Sequence, residues 1–257
     1  MIEYELWNPT GNRTVLVKTA VPISEQPHIA AVVMAAEPTA EQVGFVTETE
    51  GGVYLRMAGG EFCGNAAMTA AALWSRDHGL DAGESTVVSV EITGRTVFAA
   101  VTARNEKTFV CTVEMPLPEE ITQMQWQGKN LPAVRFEGIT HVLCDRMMEK
   151  TEAEQAVKTL CRKAQADAMG LLFWEKEEER MTPLVYVPGA ETLFWESSCA
   201  SGTAAVGAYA ARAAGQPVQL RLRQPGGDLK IAAVPDGTLR LMGMTALEKT
   251  ASLSEGG

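Results

Sequence analysis

The chain has 257 residues, 46% of them hydrophobic and 21% charged, which is enough apolar material for one large or two modest domains without disulfide support. Its formal net charge of −10, with no basic cluster to offset it, excludes sequence-independent binding to nucleic acid. No apolar run approaches the roughly 20 residues that cross a bilayer, and acids occupy the N-terminus where a signal peptide carries lysine or arginine. We therefore expect a cytoplasmic protein without membrane contact.

The first half of the chain predicts strands around a buried helix. Strands are predicted at 4–7, 14–17, 42–46, 53–57, 86–92, 95–101 and 108–115, and a helix at 28–36. The glycine-rich segment 58–65 contains Cys63 and opens directly into an alanine-rich helix at 66–74. Because this helix is apolar almost all round, we expect its sheet to enclose it.

The second half repeats this plan after a break at Pro116–Pro118. Strands are predicted at 134–136, 140–144, 170–174, 183–187, 218–222, 229–233 and 239–242, and helices at 152–166 and 204–214. The loop that precedes the last helix contains Cys199. Only the tail, 252–257, is expected to be disordered.

These patterns predict an α+β fold of two similar lobes, each a mostly antiparallel sheet wrapped around a central helix. The N-terminal lobe, 1–117, carries Cys63, and the C-terminal lobe, 118–257, carries Cys199. Two alternatives are open for the last strand, which either stays in the C-terminal lobe or returns to the N-terminal lobe. We expect the two cysteines to face each other across a cleft.

The five cysteines are odd in number and widely spaced: Cys63, Cys111, Cys144, Cys161 and Cys199. They form no C-x-x-C pair or Cys/His cluster, so neither a metal site nor a redox motif is predicted. In a reducing cytoplasm they should be free thiols. We interpret the other three, Cys111, Cys144 and Cys161, as small buried hydrophobic residues.

Two thiols in equivalent loops suit the inversion of an amino acid's α-carbon, which needs a proton removed from one face and another returned to the opposite face. Cys63 and Cys199 directly precede predicted helices, whose positive ends lower a thiol pKa. Unpaired main-chain N–H groups at Gly64–Asn65 and at Ser201–Thr203 are expected to hold the substrate's carboxylate. G-x-G-x-x-G, a P-loop lysine and a pyridoxal-phosphate lysine motif are absent, so we expect no cofactor.

The cysteine loops resemble those of the diaminopimelate epimerase-like superfamily, which includes proline racemase and the hydroxyproline epimerases. The greatest similarity is to the histidine racemases of opine-metallophore (staphylopine-type) biosynthesis. The stretches that carry it are Asn8–Asn12, Glu41–Phe45, Glu61–Ala66, Pro183–Pro188, Trp195–Thr203 and Gln224–Gly227. The resemblance implies two pseudo-symmetric lobes, an interlobe active site, no cofactor and a free amino acid, histidine, as substrate.

The resemblance also implies residue roles. Cys63 and Cys199 match the acid/base thiols. The substrate-binding positions are Asn12, Glu41, Gln42, Gly64, Asn65, Ser201, Gly202 and Thr203, among which Glu41 and Gln42 would contact the substrate side chain. His141 and Glu196 fall near residues that assist a thiol. Each has a structural alternative: a core histidine for His141, a buried acid for Glu196, a turn residue for Asn12 and a solvated acid for Glu41.

Departures from the superfamily pattern bear on the substrate. The run Glu191–Cys199 lacks the Glu-Arg pair and the glycines of diaminopimelate epimerases, so diaminopimelate is disfavoured. Asn65 stands where proline racemase has a histidine. Racemisation or epimerisation of another amino acid, including hydroxyproline, remains an alternative, as does a non-catalytic amino-acid-binding protein. Phenazine-type isomerases lack the paired thiols. Homodimers are common in this superfamily.

Overall fold

The computed structural model describes residues 1–254, which divide into two compact units. The first comprises Met1–Glu114 and returns from Met242 onward, and the second is Met115–Leu241. The expectation of a disordered tail is wrong for Ser252 and Leu253, which belong to a strand, and 255–257 lie outside the described residues.

The continuous N-terminal stretch of the first unit contains two helices and seven strands. These elements are β1 (Ile2–Pro9), β2 (Thr14–Val17), α1 (Gln26–Ala36), β3 (Gln42–Thr49), β4 (Gly52–Met57), α2 (Gly64–Asp77), β5 (Ser85–Ile92), β6 (Arg95–Asn105) and β7 (Thr108–Met115).

The second unit repeats this order with an additional strand at its start and another before its last helix. Its elements are β8 (Glu120–Trp126), β9 (Lys129–Phe136), β10 (Ile139–Cys144), α3 (Lys150–Ala164), β11 (Met169–Glu175), β12 (Arg180–Val187), β13 (Thr192–Trp195), α4 (Ala200–Ala214), β14 (Val218–Gln224) and β15 (Gly227–Ala233). The final strand, β16 (Leu239–Leu253), begins in the second unit and continues in the first.

In the first unit, eight strands close into a barrel in the order β1-β2-β3-β4-β5-β6-β7-β16, and β16 pairs again with β1. The pairs β2–β3 and β4–β5 are parallel. Helix α2 packs against β1 to β6, and most of its residues are buried, among them Ala66, Ala67, Ala70 and Ala71. The small alanine side chains let the strands approach the helix from all sides, which confirms the predicted enclosed helix.

In the second unit the sheet order is β16-β15-β14-β12-β11-β10-β9-β8, with β13 paired to β12. Helix α4 packs against strands from both parts of this sheet, β9 to β11 and β14 to β15, and like α2 it is alanine-rich and mostly buried. Helix α3 is amphipathic and packs through Ala153, Val157 and Leu160 onto a cluster shared with β11. No helix in the described part of the chain is long and apolar enough to span a bilayer.

The element boundaries differ from the sequence predictions at several places. Strands β8 and β13 were not predicted, and β16 is much longer than the predicted 239–242. Helix α3 ends at Ala164 rather than 166 because Gln165 adopts a left-handed conformation, with φ of 51°. Helix α4 begins at Ala200 rather than 204, so Cys199 itself is its N-cap residue.

Candidate active site

Cys63 is the N-cap residue of α2, in an extended conformation with φ of −128° and ψ of 112°. Its Sγ accepts a hydrogen bond from the Ala66 N–H, at an N–S distance of 3.4 Å. A thiol in this position takes the place that a serine or threonine hydroxyl usually has at a helix N-terminus. It therefore lies where the helix dipole favours negative charge.

The Cys63 thiol also begins a chain of side-chain hydrogen bonds. Cys63 Sγ donates to Gln42 Oε1 at 3.3 Å, and Gln42 Nε2 donates to Asn12 Oδ1 at 2.6 Å and to Thr14 Oγ1 at 2.7 Å. Asn12 Nδ2 then donates to Glu41 Oε2 at 2.6 Å. The structure thus brings four of the sequence-predicted site residues together and adds Thr14, which the sequence analysis did not single out.

The two residues after Cys63 begin the helix and are buried. Gly64 and Asn65 form the first turn of α2, and Asn65 is only 2% exposed. The Ala67 N–H donates to the Cys63 carbonyl oxygen, so the regular helical bonding starts at once.

Cys199 repeats the geometry of Cys63 in the second unit. It is the N-cap residue of α4, with φ of −123° and ψ of 110°, and its Sγ accepts from the Gly202 N–H at 3.3 Å. A side chain at Gly202 would crowd its neighbours, because a Cβ there would lie 2.9 Å from Leu172 Cδ2 and 3.1 Å from Cys199 Sγ. The two cysteines therefore have the same backbone conformation and the same sulfur-to-amide contact.

Two of the three amide groups expected to be unpaired after Cys199, those of Gly202 and Thr203, are engaged within the protein. Besides the Gly202 contact to sulfur, the Thr203 N–H donates to the Cys199 carbonyl oxygen at 3.0 Å. The reason is that the helix begins directly at Ala200, so Cys199 caps it with both its side chain and its carbonyl group. The fully buried Thr203 hydroxyl donates to the same carbonyl.

Gln224, on β14, is a further residue of this site that was not singled out as functional. Its Oε1 accepts from the Cys199 N–H at 2.8 Å, and its Nε2 donates to Thr203 Oγ1 at 2.9 Å. It therefore fixes the start of α4 from the neighbouring sheet. The signal was present in the Gln224–Gly227 motif, although nothing local indicated that this side chain reaches Cys199.

Burial raises the pKa of the Cys199 thiol well above its usual range, and the Glu196 carboxylate raises it further through its charge and a hydrogen bond. The Ser201 hydroxyl and the Gly202 N–H act in the opposite direction because they donate to the sulfur. Glu196 thus contacts the cysteine to which the sequence analysis assigned it.

His141 reaches Cys199 through Ser201. His141 Nε2 lies 2.9 Å from Ser201 Oγ, which lies 3.5 Å from Cys199 Sγ. The ring occupies space that a side chain at Gly170 would fill, since a Cβ there would lie 2.1 Å from His141 Nδ1. Burial lowers the pKa of His141 to about 3, so the ring is neutral at physiological pH.

The remaining three cysteines are buried, as predicted. Cys111, Cys144 and Cys161 are at most 3% exposed, and burial is the largest cause that raises the pKa of each thiol, that of Cys144 to about 12. All five cysteines are free thiols. Among the described residues, no group of three or more histidine, cysteine or acidic side chains is arranged to hold a metal ion.

The architecture is that of the racemase and epimerase fold. A solved structure of a probable proline racemase from Agrobacterium radiobacter K84 superposes with a TM-score of 0.69 at 12% identity, covering 100% of this chain and 94% of the other. At this level of identity the likeness shows the fold alone.

Sequence comparison identifies the family. Residues 1–242 match the family described as histidine racemase CntK N-terminal domain. A histidine racemase of Fusobacterium nucleatum subsp. nucleatum (strain ATCC 23726 / VPI 4351) is 32% identical over 217 residues, 79% of this chain and 78% of the relative. One from Staphylococcus aureus (strain Mu50) is 29% identical over 223 residues, 81% and 80% of the two chains. The chain belongs to the histidine racemase family of amino-acid isomerases.

Proposed function

We propose that the protein interconverts L- and D-histidine without a cofactor, and that Cys63 and Cys199 are its acid and base. The observation that carries the proposal is that the two cysteines cap α2 and α4 with the same backbone conformation and the same sulfur-to-amide contact. Two equivalent thiols meet the requirement of a reaction that treats both faces of one carbon alike.

In the proposed reaction one cysteine, as thiolate, removes the α-proton, and the other, as thiol, delivers its proton to the opposite face. After one turnover the first sulfur carries a proton and the second does not, so the roles are exchanged in the reverse direction. The proton count is balanced, and no oxidant or electron acceptor is needed.

The negative charge that develops on the substrate needs stabilisation, since the α-proton is far less acidic than a thiol. The N-termini of α2 and α4 supply positive dipole ends next to the two sulfurs. We propose that the first turns, Gly64–Asn65 and Ser201–Thr203, bind the α-carboxylate. On substrate binding the Gly202 N–H would exchange its contact to Cys199 Sγ for the carboxylate, while Thr203, whose N–H and hydroxyl both donate to the Cys199 carbonyl oxygen, holds the turn in place.

The environment of Cys199 suits the removal of a weakly acidic proton. Its raised pKa, caused by burial and by Glu196, means that its thiolate is a stronger base than an ordinary cysteine thiolate. We propose that His141, held against Ser201, positions the Ser201 hydroxyl beside this sulfur. His141 is then a positioning residue, because its low pKa keeps it from titrating during the reaction.

We assign recognition of the substrate's imidazole to Glu41, helped by Gln42. Glu41 is exposed and uses one carboxylate oxygen for Asn12, which leaves its other oxygen to accept an imidazole N–H. We also place the enzyme in the cytoplasm, where a reducing environment keeps both catalytic thiols free.

The test is racemisation of L-histidine in D₂O under reducing conditions, with other L-amino acids assayed singly beside it. We expect loss of optical rotation together with incorporation of deuterium at Cα. Cys63→Ser and Cys199→Ser should each lower the racemisation rate by about 10²–10⁴-fold, which is the usual contribution of general acid–base catalysis.

Cys161→Ser is the matched control, because the Cys161 thiol donates to the Ala166 carbonyl oxygen and a serine hydroxyl can keep that bond. It should retain the wild-type rate. A folded Cys63→Ser variant that racemises histidine as fast as wild type would overturn the proposed mechanism. Turnover of a different amino acid would change the assigned substrate but keep the mechanism. Binding of histidine without deuterium exchange would indicate a binding protein.

A further inference from the structure

Cys63 stands at one end of a chain of hydrogen bonds that all run in one direction. The thiol donates to Gln42 Oε1, the Gln42 amide donates to Asn12 Oδ1, and the Asn12 amide donates to Glu41 Oε2. We propose that this chain makes Glu41 a positioning residue that favours the protonated thiol of Cys63 over its thiolate. The inference rests on the proposed function, because the protonation state of Cys63 matters to the reaction only if Cys63 is one of its two acid/base thiols.

The carboxylate at the far end sets the direction of the chain. An ionised carboxylate has no proton to give and can only accept hydrogen bonds. Asn12 must therefore turn its amide N–H towards Glu41, and its carbonyl oxygen towards Gln42. Gln42 in turn presents its NH₂ group to Asn12 and its carbonyl oxygen to the cysteine. Each step leaves only one orientation for the next side chain.

Thr14 imposes the same orientation on Gln42 independently. The Thr14 hydroxyl donates its single proton to the Asn12 main-chain carbonyl at 3.0 Å, so it can only accept from Gln42 Nε2, at 2.7 Å. Both N–H groups of the Gln42 amide are therefore engaged away from the sulfur. Thr14 is fully buried, which protects this arrangement from competition by water.

A carbonyl oxygen next to sulfur discriminates between the two protonation states of the cysteine. It accepts a hydrogen bond from the thiol, whereas it repels a thiolate, to which it has no proton to donate. An opposing influence is the Ala66 N–H at the start of α2. The charged residues next to members of the chain in sequence are Glu41 itself and Arg13, which is paired with Glu248 at 2.9 Å, and Glu61 is an exposed acid two residues before Cys63.

The direct test removes both constraints on the amide with the double variant Glu41→Gln/Thr14→Val. The Gln42 side chain can then turn and donate its NH₂ group to the sulfur. The readout is the rate at which iodoacetamide alkylates Cys63 of the intact chain against pH, followed on the Cys63 peptide by mass spectrometry. We expect the midpoint to fall by about one unit, which is tenfold more thiolate below the midpoint, or about 1.4 kcal/mol.

Further variants separate this effect from loss of charge or loosening of the fold. In a Gln42→Leu background the same two substitutions should leave the midpoint unchanged, because no amide is present to turn. Glu61→Gln removes an exposed acid two residues before Cys63 and should leave the wild-type midpoint in place. A fall that persists without Gln42, or one that Glu61→Gln reproduces in full, would overturn the proposal.

The single variant Glu41→Gln keeps the test decisive if the buried Thr14 position does not tolerate valine. Glu41 is exposed, so its replacement should leave folding intact. We expect the alkylation midpoint of Cys63 to fall, with about threefold more thiolate below the midpoint. An unchanged midpoint would contradict the proposed role of the hydrogen-bond chain. Because alkylation needs no turnover, the two proposals can be contradicted separately. An unchanged midpoint in an active racemase contradicts only the proposed role of the hydrogen-bond chain. The expected shift in a protein that does not racemise histidine contradicts only the proposed function.

Discussion

His141 is neutral because of where it lies rather than because of a charged neighbour. The side chain is fully buried on β10, and burial alone lowers its pKa from 6.5 to about 3. In the described structure its Nδ1 has no hydrogen-bond partner, while Nε2 contacts Ser201. The ring is therefore held by shape, against the glycine at position 170, and by one hydrogen bond.

This burial makes the stability of the protein depend on pH. In the unfolded chain His141 takes up a proton below about pH 6.5, whereas in the folded chain it does so only near pH 3. The contribution of the neutral His141 ring to the free energy of unfolding is thus fully present above pH 6.5 and is lost as the pH falls towards 3. Between pH 7 and pH 5 we expect His141 to lower the free energy of unfolding by about 2 kcal/mol, measured by urea denaturation at both values.

The chain offers a matched control for this measurement. His141→Asn should remove the His141 part of the difference between pH 7 and pH 5. His28→Asn, at an exposed position on α1, should leave the difference as it is in wild type. Equal pH dependence in wild type and His141→Asn would show that the ring is accessible to protons in the folded state.

At the scale of the element, both alanine-rich helices begin with a thiol where a hydroxyl usually stands. Because a serine Oγ can accept the Gly202 N–H, Cys199→Ser should keep the cap of α4, whereas Cys199→Ala leaves a buried N–H without its acceptor. We expect the alanine variant to be less stable than the serine variant by about 1 kcal/mol in urea denaturation. Serine is therefore the better replacement for separating catalysis from folding.

Cys144 provides the comparison, because its thiol lies in an apolar cluster on β10 and caps no helix. There the order should be reversed, since a serine hydroxyl would be buried among apolar groups. Finding the same order at both positions would mean that the sulfur of Cys199 does not cap α4.

The helices and the two cysteine loops could be predicted from the sequence because their signals are local. A run of alanines after a glycine-rich loop indicates a helix start whatever the rest of the chain does. Strand β8 was missed because it follows a proline-rich break and exposes most of its side chains. The second half of β16, which contains Ala246, Glu248, Lys249 and Ala251, has little strand propensity and is extended through its pairing with β1.

The contacts around the two thiols could not be predicted from local sequence patterns, because they depend on how distant strands pair. The parallel register places Thr14 opposite Gln42 in the first unit and His141 opposite Gly170 in the second. Neither pairing has a signature in the sequence, because each joins residues far apart in the chain. The sequence analysis named Gln42 and His141 but could not assign their partners, and it had no reason to consider Gly170.

At the scale of the whole molecule, the register shows that the two units are variations on one plan. Each capped helix packs against a pair of adjacent parallel strands, α2 against β2 and β3, and α4 against β10 and β11. In the first unit β3 carries Gln42, which contacts its cysteine directly; in the second unit Gly170 on β11 leaves space that His141 from β10 fills. The two units thus share a similar order of elements, but different side chains surround the two cysteines.

The barrel of the first unit depends on the final strand, which is hydrogen-bonded on both sides. The Leu247 N–H donates to the Lys107 carbonyl oxygen at 2.8 Å, and β16 pairs on its other side with β1. Leu247→Pro removes this donor from a strand interior, and we expect a loss of about 3 kcal/mol or more in the free energy of unfolding. Leu247→Ala keeps the N–H and should lose distinctly less; equal losses would show that the side chain matters more than the closure.

The same strand has a consequence for biosynthesis. The ribosome completes the entire second unit after β7 and before the part of β16 that joins β1 and β7. While the chain is being made, the first unit has two unpaired strand edges, which are prone to pair with other chains. The part of the protein that is synthesised first is therefore the last to finish folding, and during translation its open strand edges are where a chaperone would have to prevent pairing with other chains.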